Sequence, residues 1–391
     1  MSNQPNFSNS EIAFSGKSNA DLTRAYWLFK AISSNLLVKI GPPMTTFAMA
    51  IGLPVAPIIK ATIFRHFCGG ESIDACNNTI QELAKFKIGT ILDYSAEGAE
   101  TESSFDATTK ETIATIARAK GDDKISFAVF KVTGIASITL LEKMDAGGSL
   151  SPAEQAAFKR VSDRMYEICK AAHQANVRIF IDAEESWIQK TIDALAFQMM
   201  AHFNKADAIV YNTYQFYRHD RLAAMQSAHE KLKAAGLFFG IKLVRGAYME
   251  KERARAAAKN YEDPIQINKI ASDEDYDAAL NYCIQNIANM SICAGTHNEN
   301  SSMHLVELMA QHGIAANDRR IYFSQLLGMS DNLSFNLSEA GYNVAKYVPY
   351  GPVKKVLPYL FRRAEENTAI AGQMGRELSL IVAEQSRRRK G

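Results

Sequence analysis

The chain has 391 residues, of which 47% are hydrophobic and 22% are charged, the balance of a soluble globular protein. That length suits a (β/α) barrel with an additional helical segment. The formal net charge of +2 is too small to indicate a partner such as nucleic acid or another polyanion, so we expect no nucleic acid partner.

The five cysteines are odd in number, and none of them belongs to a Cys-x-x-Cys pair. This pattern favours buried thiols in a reducing compartment over disulfides or a zinc site. The first residues lack the apolar core of a secretory signal and carry few arginines, so we expect neither a signal peptide nor a mitochondrial presequence. The expected location is the cytoplasm, with peripheral contact to the inner face of a membrane.

Residues 1–87 are predicted to form an N-terminal helical segment. The stretch "SNADLTRAYWLFKAISSNLLVKIG" opens with residues typical of a helix start, and "DACNNTIQELAKFKIG" repeats that pattern with Gly89 as the expected stop. The uncharged run 40–59 is long enough to cross a membrane, but prolines and glycines interrupt it. Packed core helices are therefore predicted there instead of a membrane span.

From residue 88 onward, short β-rich runs alternate with helical stretches. Most of these runs have few interior charges, as expected of parallel strands that are covered on both faces. The pattern predicts an α/β fold, a (β/α)8 TIM-type barrel over 88–385 preceded by the N-terminal helical segment, with a basic tail "SRRRK" in 386–391. The eight predicted strand regions are 88–97, 126–134, 178–185, 208–215, 239–248, 291–298, 321–328 and 344–351.

Polar side chains gather at the end of each predicted strand, which in this fold is the face that carries the active site. No His-Glu-x-x-His pattern accompanies them, and we predict no metal site. The motifs of serine hydrolases, Rossmann nicotinamide sites and P-loop NTPases are absent from the sequence. The polar residues at the strand ends are Asp93, Glu97, Lys131, Asp182, Glu184, Glu185, Asn212, Gln215, Arg245, Thr296, His297, Gln325 and Tyr347.

The helix predicted after the eighth strand contains "YLFRRAEEN". Tyr359, Arg362, Arg363 and Glu366 recur at helical spacing and share one face. One interpretation is an exposed salt bridge to Glu366, worth about 0–1 kcal/mol. The other is a pair of guanidinium groups that binds a substrate carboxylate, worth about 1.5–3 kcal/mol for each sheltered hydrogen bond. The spacing alone does not decide between them.

Several motifs occur in order and together resemble the proline dehydrogenase family. They are "FKVTG", "IDAEE", "NTYQ", "KLVRGAYMEKERARAA", "GTHN", "QLLGM", "YVPYG" and "YLFRRAEEN", within a match from about residue 60 to about residue 370. The residues of these motifs are more similar to those of the stand-alone and mitochondrial branch than to those of the fused bifunctional enzymes. The resemblance implies FAD-dependent oxidation of L-proline to Δ1-pyrroline-5-carboxylate, the first step of proline catabolism to glutamate. A hydride would pass from proline Cδ to FAD, and the electrons would pass on to a quinone.

The resemblance also implies roles for the residues that would contact proline. Arg362, Arg363 and Lys131 correspond to the cations that bind the carboxylate. Tyr347 and Tyr359 correspond to tyrosines beside the pyrrolidine ring. Leu326 would pack on the ring, with Leu327 as the alternative. Glu97 would pair with Arg362, and Asp182 would order the cations.

A second set of residues falls where the family holds FAD. Lys242 stands where some branches have arginine, and Met249 stands where a tryptophan often follows the Gly-Ala-Tyr. Glu366 would support Arg363 close to the flavin. The full set implied to bind the cofactor is Asn212, Lys242, Val244, Arg245, Gly246, Ala247, Tyr248, Thr296, His297 and Glu366.

Other functions are open from the residues alone. Hydroxyproline dehydrogenase belongs to the same family, although the bulk of Tyr347 favours proline. A Schiff-base aldolase would use Lys131 or Lys242 as nucleophile, and a non-catalytic barrel would act as a regulator or scaffold. The chain is too short for a second dehydrogenase domain, so a separate pyrroline-5-carboxylate dehydrogenase is the expected partner. The basic tail is either a solvated end or a contact with anionic lipid, where the quinone resides.

Overall fold

The computed structural model describes residues 4–33, 41, 43–45, 51, 53–95, 100–369 and 371–390, apart from the side chains of 364–369 and 371–374. Two predicted site groups therefore lie outside the described residues, namely Glu97 and the side chain of Glu366. Eight of the twenty residues of the uncharged run 40–59 lie outside them as well. Among the described residues, no helix combines the length and apolar character needed to cross a bilayer.

Helices precede the first strand. Ser18 caps the second helix through a capping box with Asp21, which accounts for its predicted start. The prediction that Gly89 stops a helix is wrong, because Lys87 adopts the left-handed conformation (φ 56°) and Gly89 lies inside the first strand. The helices described here are α1 Ser10–Ala13, α2 Asn19–Ile32, α3 Ala56–Ile59, α4 Arg65–Phe67 and α5 Asn77–Ala84, with a π-helical turn Lys60–Phe64 between α3 and α4.

Eight strands follow and form a closed barrel in chain order, which confirms the predicted (β/α)8 fold. The recorded strand pairs are parallel, as in the pairing of Ile91 with Tyr347 between the first and last strands. The strands are β1 Ile88–Tyr94, β2 Ile125–Lys131, β3 Ile179–Asp182, β4 Val210–Gln215, β5 Phe239–Val244, β6 Met290–Gly295, β7 Ile321–Leu326 and β8 Val344–Tyr350.

Helices alternate with the strands and continue beyond the last one. Their bounds are α6 Glu102–Ala119, α7 Ile138–Asp145, α8 Pro152–Ala175, α9 Ser186–Phe203, α10 Arg221–Ala234, α11 Met249–Lys259, α12 Lys269–Gln285, α13 Glu299–Gln311, α14 Asp331–Glu339, α15 Val353–Ala369 and α16 Ala371–Lys390.

The chain divides into two compact units. We call Gly98–Ser324 the central unit, and Met1–Glu97 with Gln325–Gly391 the terminal unit. The sheet of the central unit has an aromatic layer in which the Phe127 and Phe180 rings stack with centroids 4.3 Å apart. The edge of Tyr211 meets both rings at 5.5 Å. Side chains alternate between the two faces of a strand. Residues an even number of positions from Phe127, Phe180 or Tyr211 in β2, β3 or β4 therefore lie on the same face as this aromatic layer.

The terminal unit has its own apolar core, built from the N-terminal helices and from α15 and α16. Phe29, Leu360 and Ile381 are among its buried members. The basic run 386–390 continues α16 to its end. Its Arg388 donates hydrogen bonds to the carbonyl oxygens of Phe14 and Lys17, at 2.9 and 2.8 Å, and so joins the last helix to the end of the first.

All five cysteines are buried and free, in agreement with the predicted thiols.

Candidate active site

Asp182 joins two lysines of the central unit, Lys131 at the end of β2 and Lys242 within β5. Its two carboxylate oxygens lie 3.2 Å from Lys131 Nζ and 2.5 Å from Lys242 Nζ. Asp182 and Lys242 are buried, whereas about a quarter of the Lys131 side chain is exposed. Lys242 Nζ also lies 5.1 Å above the Phe180 ring. One carboxylate therefore positions two ammonium groups on the face of the aromatic layer, and Lys131 is the more accessible of the two.

Both lysines that an aldolase would need as nucleophile are ion-paired. A Schiff base forms from the neutral amine, which in aldolase-type sites requires an apolar pocket or a neighbouring cation. Asp182 forms an ion pair with both Lys131 and Lys242, and neither the apolar pocket nor the neighbouring cation is seen in these contacts. This geometry suits anion binding better than amine nucleophilicity.

Glu184 holds the turn that follows Lys131. Its carboxyl group accepts hydrogen bonds from Thr133 N, at 3.0 Å, and from Thr133 Oγ1. Burial raises the pKa of Glu184 to about 7, although the hydrogen bonds from Thr133 and the charge of Lys131 act in the opposite direction. The backbone N–H of Glu184 in turn donates a hydrogen bond to Gln189 Oε1 at 2.8 Å. The end of β2 is thus fixed from β3 and α9.

The helix that follows the Gly-Ala-Tyr motif is also tied to β3 and α9. Glu252 is fully buried, and its carboxylate accepts hydrogen bonds from Ser186 N at 2.6 Å and Ser186 Oγ at 2.5 Å. Lys251 pairs with Glu185 one residue earlier. The charged residues of "MEKERARAA" therefore anchor α11 to the N-terminus of α9.

Arg245 follows β5 and is braced by three neighbours. It donates to Asp273 at 2.6 Å, to Thr296 Oγ1 at 2.9 Å and to Ser301 Oγ at 2.9 Å. Its guanidinium carbon lies 4.4 Å from the centroid of the Tyr276 ring. The structure thus brings Arg245 and Thr296 together, as the sequence predicts for one binding region, while His297 next to them is partly exposed.

Gly246 and Ala247 are exposed directly after Arg245. Gly246 adopts φ 137°, and a Cβ atom there would lie 2.3 Å from the Tyr217 ring, so only glycine fits. Val244 and Tyr248 on either side are partly buried. Exposed residues beside braced side chains are suited to approach by a polar ligand.

Asn212 and Gln215 lie in β4 but on opposite faces. Asn212 Nδ2 donates to Asp193 on α9 at 2.8 Å, so its side chain points to the helices. Gln215 lies four residues after Tyr211 in the same strand. Because side chains alternate between the two faces, Gln215 points to the same face as Tyr211, the face of the aromatic layer. Gln215 is buried, and among the described residues its Oε1 has no hydrogen-bond partner. Of this pair, the structure groups Gln215 with Asp182 and Lys242.

In the terminal unit, Tyr347 and Leu326 belong to neighbouring segments. Leu327 N donates to Tyr347 O at 2.8 Å, and Met329 N donates to Leu326 O at 3.2 Å. Tyr347 is buried and Leu326 is partly buried. The backbone contact fixes the start of the loop after β7 against β8.

Tyr359 and Arg363 pack together on α15. The Arg363 guanidinium carbon lies 5.2 Å from the centroid of the Tyr359 ring, and both residues are buried. Arg362 is partly exposed. A buried arginine does not fit the interpretation of α15 as an exposed salt-bridged surface, because such pairs lie in solvent. The anion-binding interpretation is therefore the better supported.

The comparison with protein families agrees with these features. A family model described as "Proline dehydrogenase" matches residues 76–376. The chain belongs to the proline dehydrogenase family. This is a family of flavoenzymes, and the match contains every described site residue named above.

Known proline dehydrogenases and their relatives match different shares of the chain. "Proline dehydrogenase 1, mitochondrial" of Drosophila melanogaster is 39% identical over 249 residues, which cover 61% of this chain and 37% of that protein. "Carbapenem antibiotics biosynthesis protein CarD" of Pectobacterium carotovorum subsp. carotovorum is 31% identical over 326 residues, which cover 83% of this chain and 84% of the relative. The chain thus spans less than two fifths of the Drosophila enzyme.

A solved structure supports the same fold. Proline utilization A (PutA) from Bdellovibrio bacteriovorus, inactivated by N-propargylglycine, superposes with a TM-score of 0.72 at 20% identity. The superposition covers 92% of this chain and 38% of the PutA chain. At that identity the likeness shows the barrel fold.

The sequence assigns no role to two buried polar residues of the central unit. The sequence marks Gln215 only as a strand-end residue, although the period of two in β4 separates it from Asn212. Glu184 stands in the acidic run "DAEE", but nothing in that run shows that its partner is Thr133 in another strand-end turn.

Proposed function

We propose that the protein is an FAD-dependent proline dehydrogenase that oxidises L-proline to Δ1-pyrroline-5-carboxylate and passes the electrons to a quinone. The observation that carries the proposal is the buried Asp182, which positions Lys131 at the end of β2 and Lys242 within β5. Such a cluster suits a small anionic substrate next to a polar cofactor edge.

The central unit has groups that fit a flavin. Gln215 Oε1 is a buried acceptor without a described partner, and flavin ring N–H groups would satisfy it. Lys242, the braced Arg245 and the exposed Gly246 and Ala247 would hold the remaining polar atoms. When bound, FAD supplies the two-electron acceptor for the hydride that leaves proline Cδ. Val244, Tyr248, Thr296 and His297 are proposed as further contacts, in accordance with the family resemblance.

Binding of the proline carboxylate is proposed for Arg362, Arg363 and Lys131. Each would contribute a charge-assisted hydrogen bond, and two guanidinium groups fix the orientation of a carboxylate better than ammonium groups do. Clustered cations also lower the pKa of a nearby amine, so the substrate nitrogen would lose its proton more readily. That proton must leave nitrogen for the C=N bond of the product to form.

The ring of proline is proposed to pack against Tyr347, Tyr359 and Leu326. These side chains are buried or partly buried in the terminal unit. Holding the ring between apolar walls, with the carboxylate fixed, presents Cδ in one orientation. The bulk of Tyr347 favours proline over 4-hydroxyproline.

An anaerobic spectrum tests cofactor, substrate and reaction together. The purified chain, loaded with FAD, is expected to show a flavin band that bleaches when L-proline is added without oxygen. D-proline is the matched control and should leave the band unchanged. Protein that binds no flavin, or a bound flavin that L-proline does not reduce, would overturn the proposal.

Arg363→Met tests the carboxylate role. We expect the KM for proline to rise about ten- to a hundredfold, because one charge-assisted hydrogen bond of about 1.5–3 kcal/mol is lost. Lys355→Met is the control, since Lys355 is an exposed cation on the same helix. Flavin content should be the same in both variants, and loss of flavin with an unchanged KM would contradict the assigned role.

The partners are proposed from the chemistry of the reaction. The reduced flavin needs an acceptor, and a quinone in the membrane would provide one, with the protein in the cytoplasm and in peripheral contact with the bilayer. Exposed Arg389 and Lys390 at the end of α16 would favour anionic lipid. A separate pyrroline-5-carboxylate dehydrogenase would consume the product.

A further inference from the structure

Lys346 is a fully buried lysine in β8, next to Tyr347. Side chains alternate along a strand, so Lys346 points to the opposite face from Tyr347, towards α14. Lysine is rarely buried without a specific partner, because the charged ammonium group loses its hydration. A lysine at this position therefore needs a structural explanation.

The ammonium group of Lys346 holds the loop between β7 and α14. Its Nζ donates to Met329 O at 2.5 Å and to Leu326 O at 3.3 Å, and it pairs with Asp331 Oδ1 at 2.8 Å. These are three acceptors for the three N–H donors of the group. They come from the beginning, the middle and the end of the loop 326–331.

The same loop is fixed from other sides of the terminal unit. His66 Nε2 donates to Gly328 O at 2.9 Å, and Glu377 of α16 accepts a hydrogen bond from Ser330 N. Burial lowers the pKa of His66 to about 4, so the ring is neutral at physiological pH. Lys17 lies 3.7 Å from the second oxygen of Asp331. With Leu327 N on Tyr347 O, every part of the loop has a defined contact with β8 or with the helices.

We propose that Lys346 is a positioning residue that sets Leu326 against Tyr347 and thereby determines which five-membered ring fits between them. The inference rests on the proposed function, in which these two side chains form walls for proline. Lys346 is behind the wall and does not touch the substrate. It acts through the backbone carbonyl of Leu326 and through the strand that carries Tyr347.

The chemistry of the group supports positioning over simple stabilisation. Replacing a buried ion pair by apolar side chains of the same size is often neutral or stabilising, so a defined geometry is the role we assign to this pair. Apolar side chains would leave the carbonyls of Leu326 and Met329 without these hydrogen bonds. The loop could then relax, and a shift of about 1 Å in a substrate-contacting group can lower the rate about a hundredfold.

Lys346→Met, with Lys355→Met as the exposed control, is the first test. Both proteins are loaded with FAD and assayed with L-proline and with 4-hydroxyproline. For Lys346→Met we expect unchanged flavin content, a KM for proline raised about tenfold or more, and a changed ratio of kcat/KM for the two substrates. A loss of overall stability alone would lower the amount of active enzyme without changing KM or that ratio.

Asp331→Asn is the second test, because it keeps the lysine and its bonds to both carbonyls while removing the charge partner. We expect a smaller KM change in the same direction, and this variant decides the matter if Lys346→Met does not fold. Unchanged KM and substrate ratio in the flavin-loaded variants would overturn the inference. Wild-type protein that does not oxidise proline would instead refute the proposed function, so the two failures are distinguishable.

Discussion

Glu184 is a carboxyl group whose neighbours do not fully offset its burial. Thr133 donates two hydrogen bonds to it and Lys131 contributes an opposite charge, whereas Glu185 beside it is a like charge. Burial dominates and raises the pKa of Glu184 to about 7 from an ordinary 4.5. The folded protein therefore holds a proton on Glu184 at pH values where the unfolded chain has released it.

Glu184→Gln tests this coupling between protonation and stability. Because the pKa is raised on folding, the stabilising contribution of Glu184 is complete below pH 4.5 and disappears as the pH rises through about 7. The free energy of unfolding of the wild type, relative to Glu184→Gln, should fall by about 1–3 kcal/mol between pH 5 and pH 8. Urea unfolding at the two pH values measures the difference.

Glu167→Gln is the control for that experiment, since Glu167 is an exposed carboxyl on α8. The free-energy difference from the wild type should fall further between the two pH values for Glu184→Gln than for Glu167→Gln. Equal falls for the two variants would contradict the raised pKa of Glu184.

Some site residues could not be predicted because their partners lie far away in the sequence. Periodicity places Asn212 and Gln215 on opposite faces of β4, but the choice of the inner face depends on Tyr211 meeting Phe127 and Phe180 of other strands. Lys346 is similar, since a single lysine in an apolar run gives no sign that its acceptors belong to the preceding loop.

Among the elements, the strands were the most predictable. Parallel strands covered on both faces are continuous apolar runs with polar ends, and each predicted region contains all or most of one observed strand. Turns were less predictable, because Lys87 provides the left-handed residue that the sequence assigns to a glycine. The basic run 386–390 reads as a solvated end, yet it continues α16, and the acceptors of Arg388 lie about 370 residues earlier in the chain.

Arg388→Met tests whether this contact matters for stability. Arg388 donates to the carbonyls of Phe14 and Lys17 and pairs with the buried Glu384 at 2.7 Å. Its removal leaves those acceptors less satisfied, and we expect a loss of about 2–3 kcal/mol in the free energy of unfolding. Chemical denaturation measures it, with Arg389→Met as the exposed control on the same helix. Equal stability of the two variants would show that the contact contributes nothing.

At the scale of the whole molecule, the family match and the described helices do not coincide. The match spans residues 76–376, whereas α1 to α4 and most of α16 lie outside it. Those helices form the apolar core of the terminal unit together with α15, which carries Tyr359 and Arg363. The elements outside the match are thus part of the packing that supports two predicted substrate contacts.

Flavin binding should stabilise the whole protein, since a ligand that binds only the folded state shifts the unfolding equilibrium. At a free FAD concentration about 100 times the Kd, the expected gain is about 2.7 kcal/mol. Gln215→Leu should reduce this gain by about 1–2 kcal/mol, because a buried hydrogen bond to the cofactor is lost. Asn212→Leu should lower the stability of the flavin-free and flavin-bound protein equally, because its partner Asp193 belongs to the protein itself.

Thermal unfolding of the flavin-free chain, with and without added FAD, measures both effects for the wild type and the two β4 variants. The pair is matched, since both substitutions replace a buried amide by leucine three positions apart in one strand. If added FAD stabilised Gln215→Leu as much as the wild type but did not stabilise Asn212→Leu, the result would contradict the placement of the flavin on the aromatic-layer face of β4. It would instead support the cofactor contact that the family resemblance implies for Asn212. Loss of the gain in Gln215→Leu alone would identify the aromatic-layer face of β4 as the one that meets the flavin.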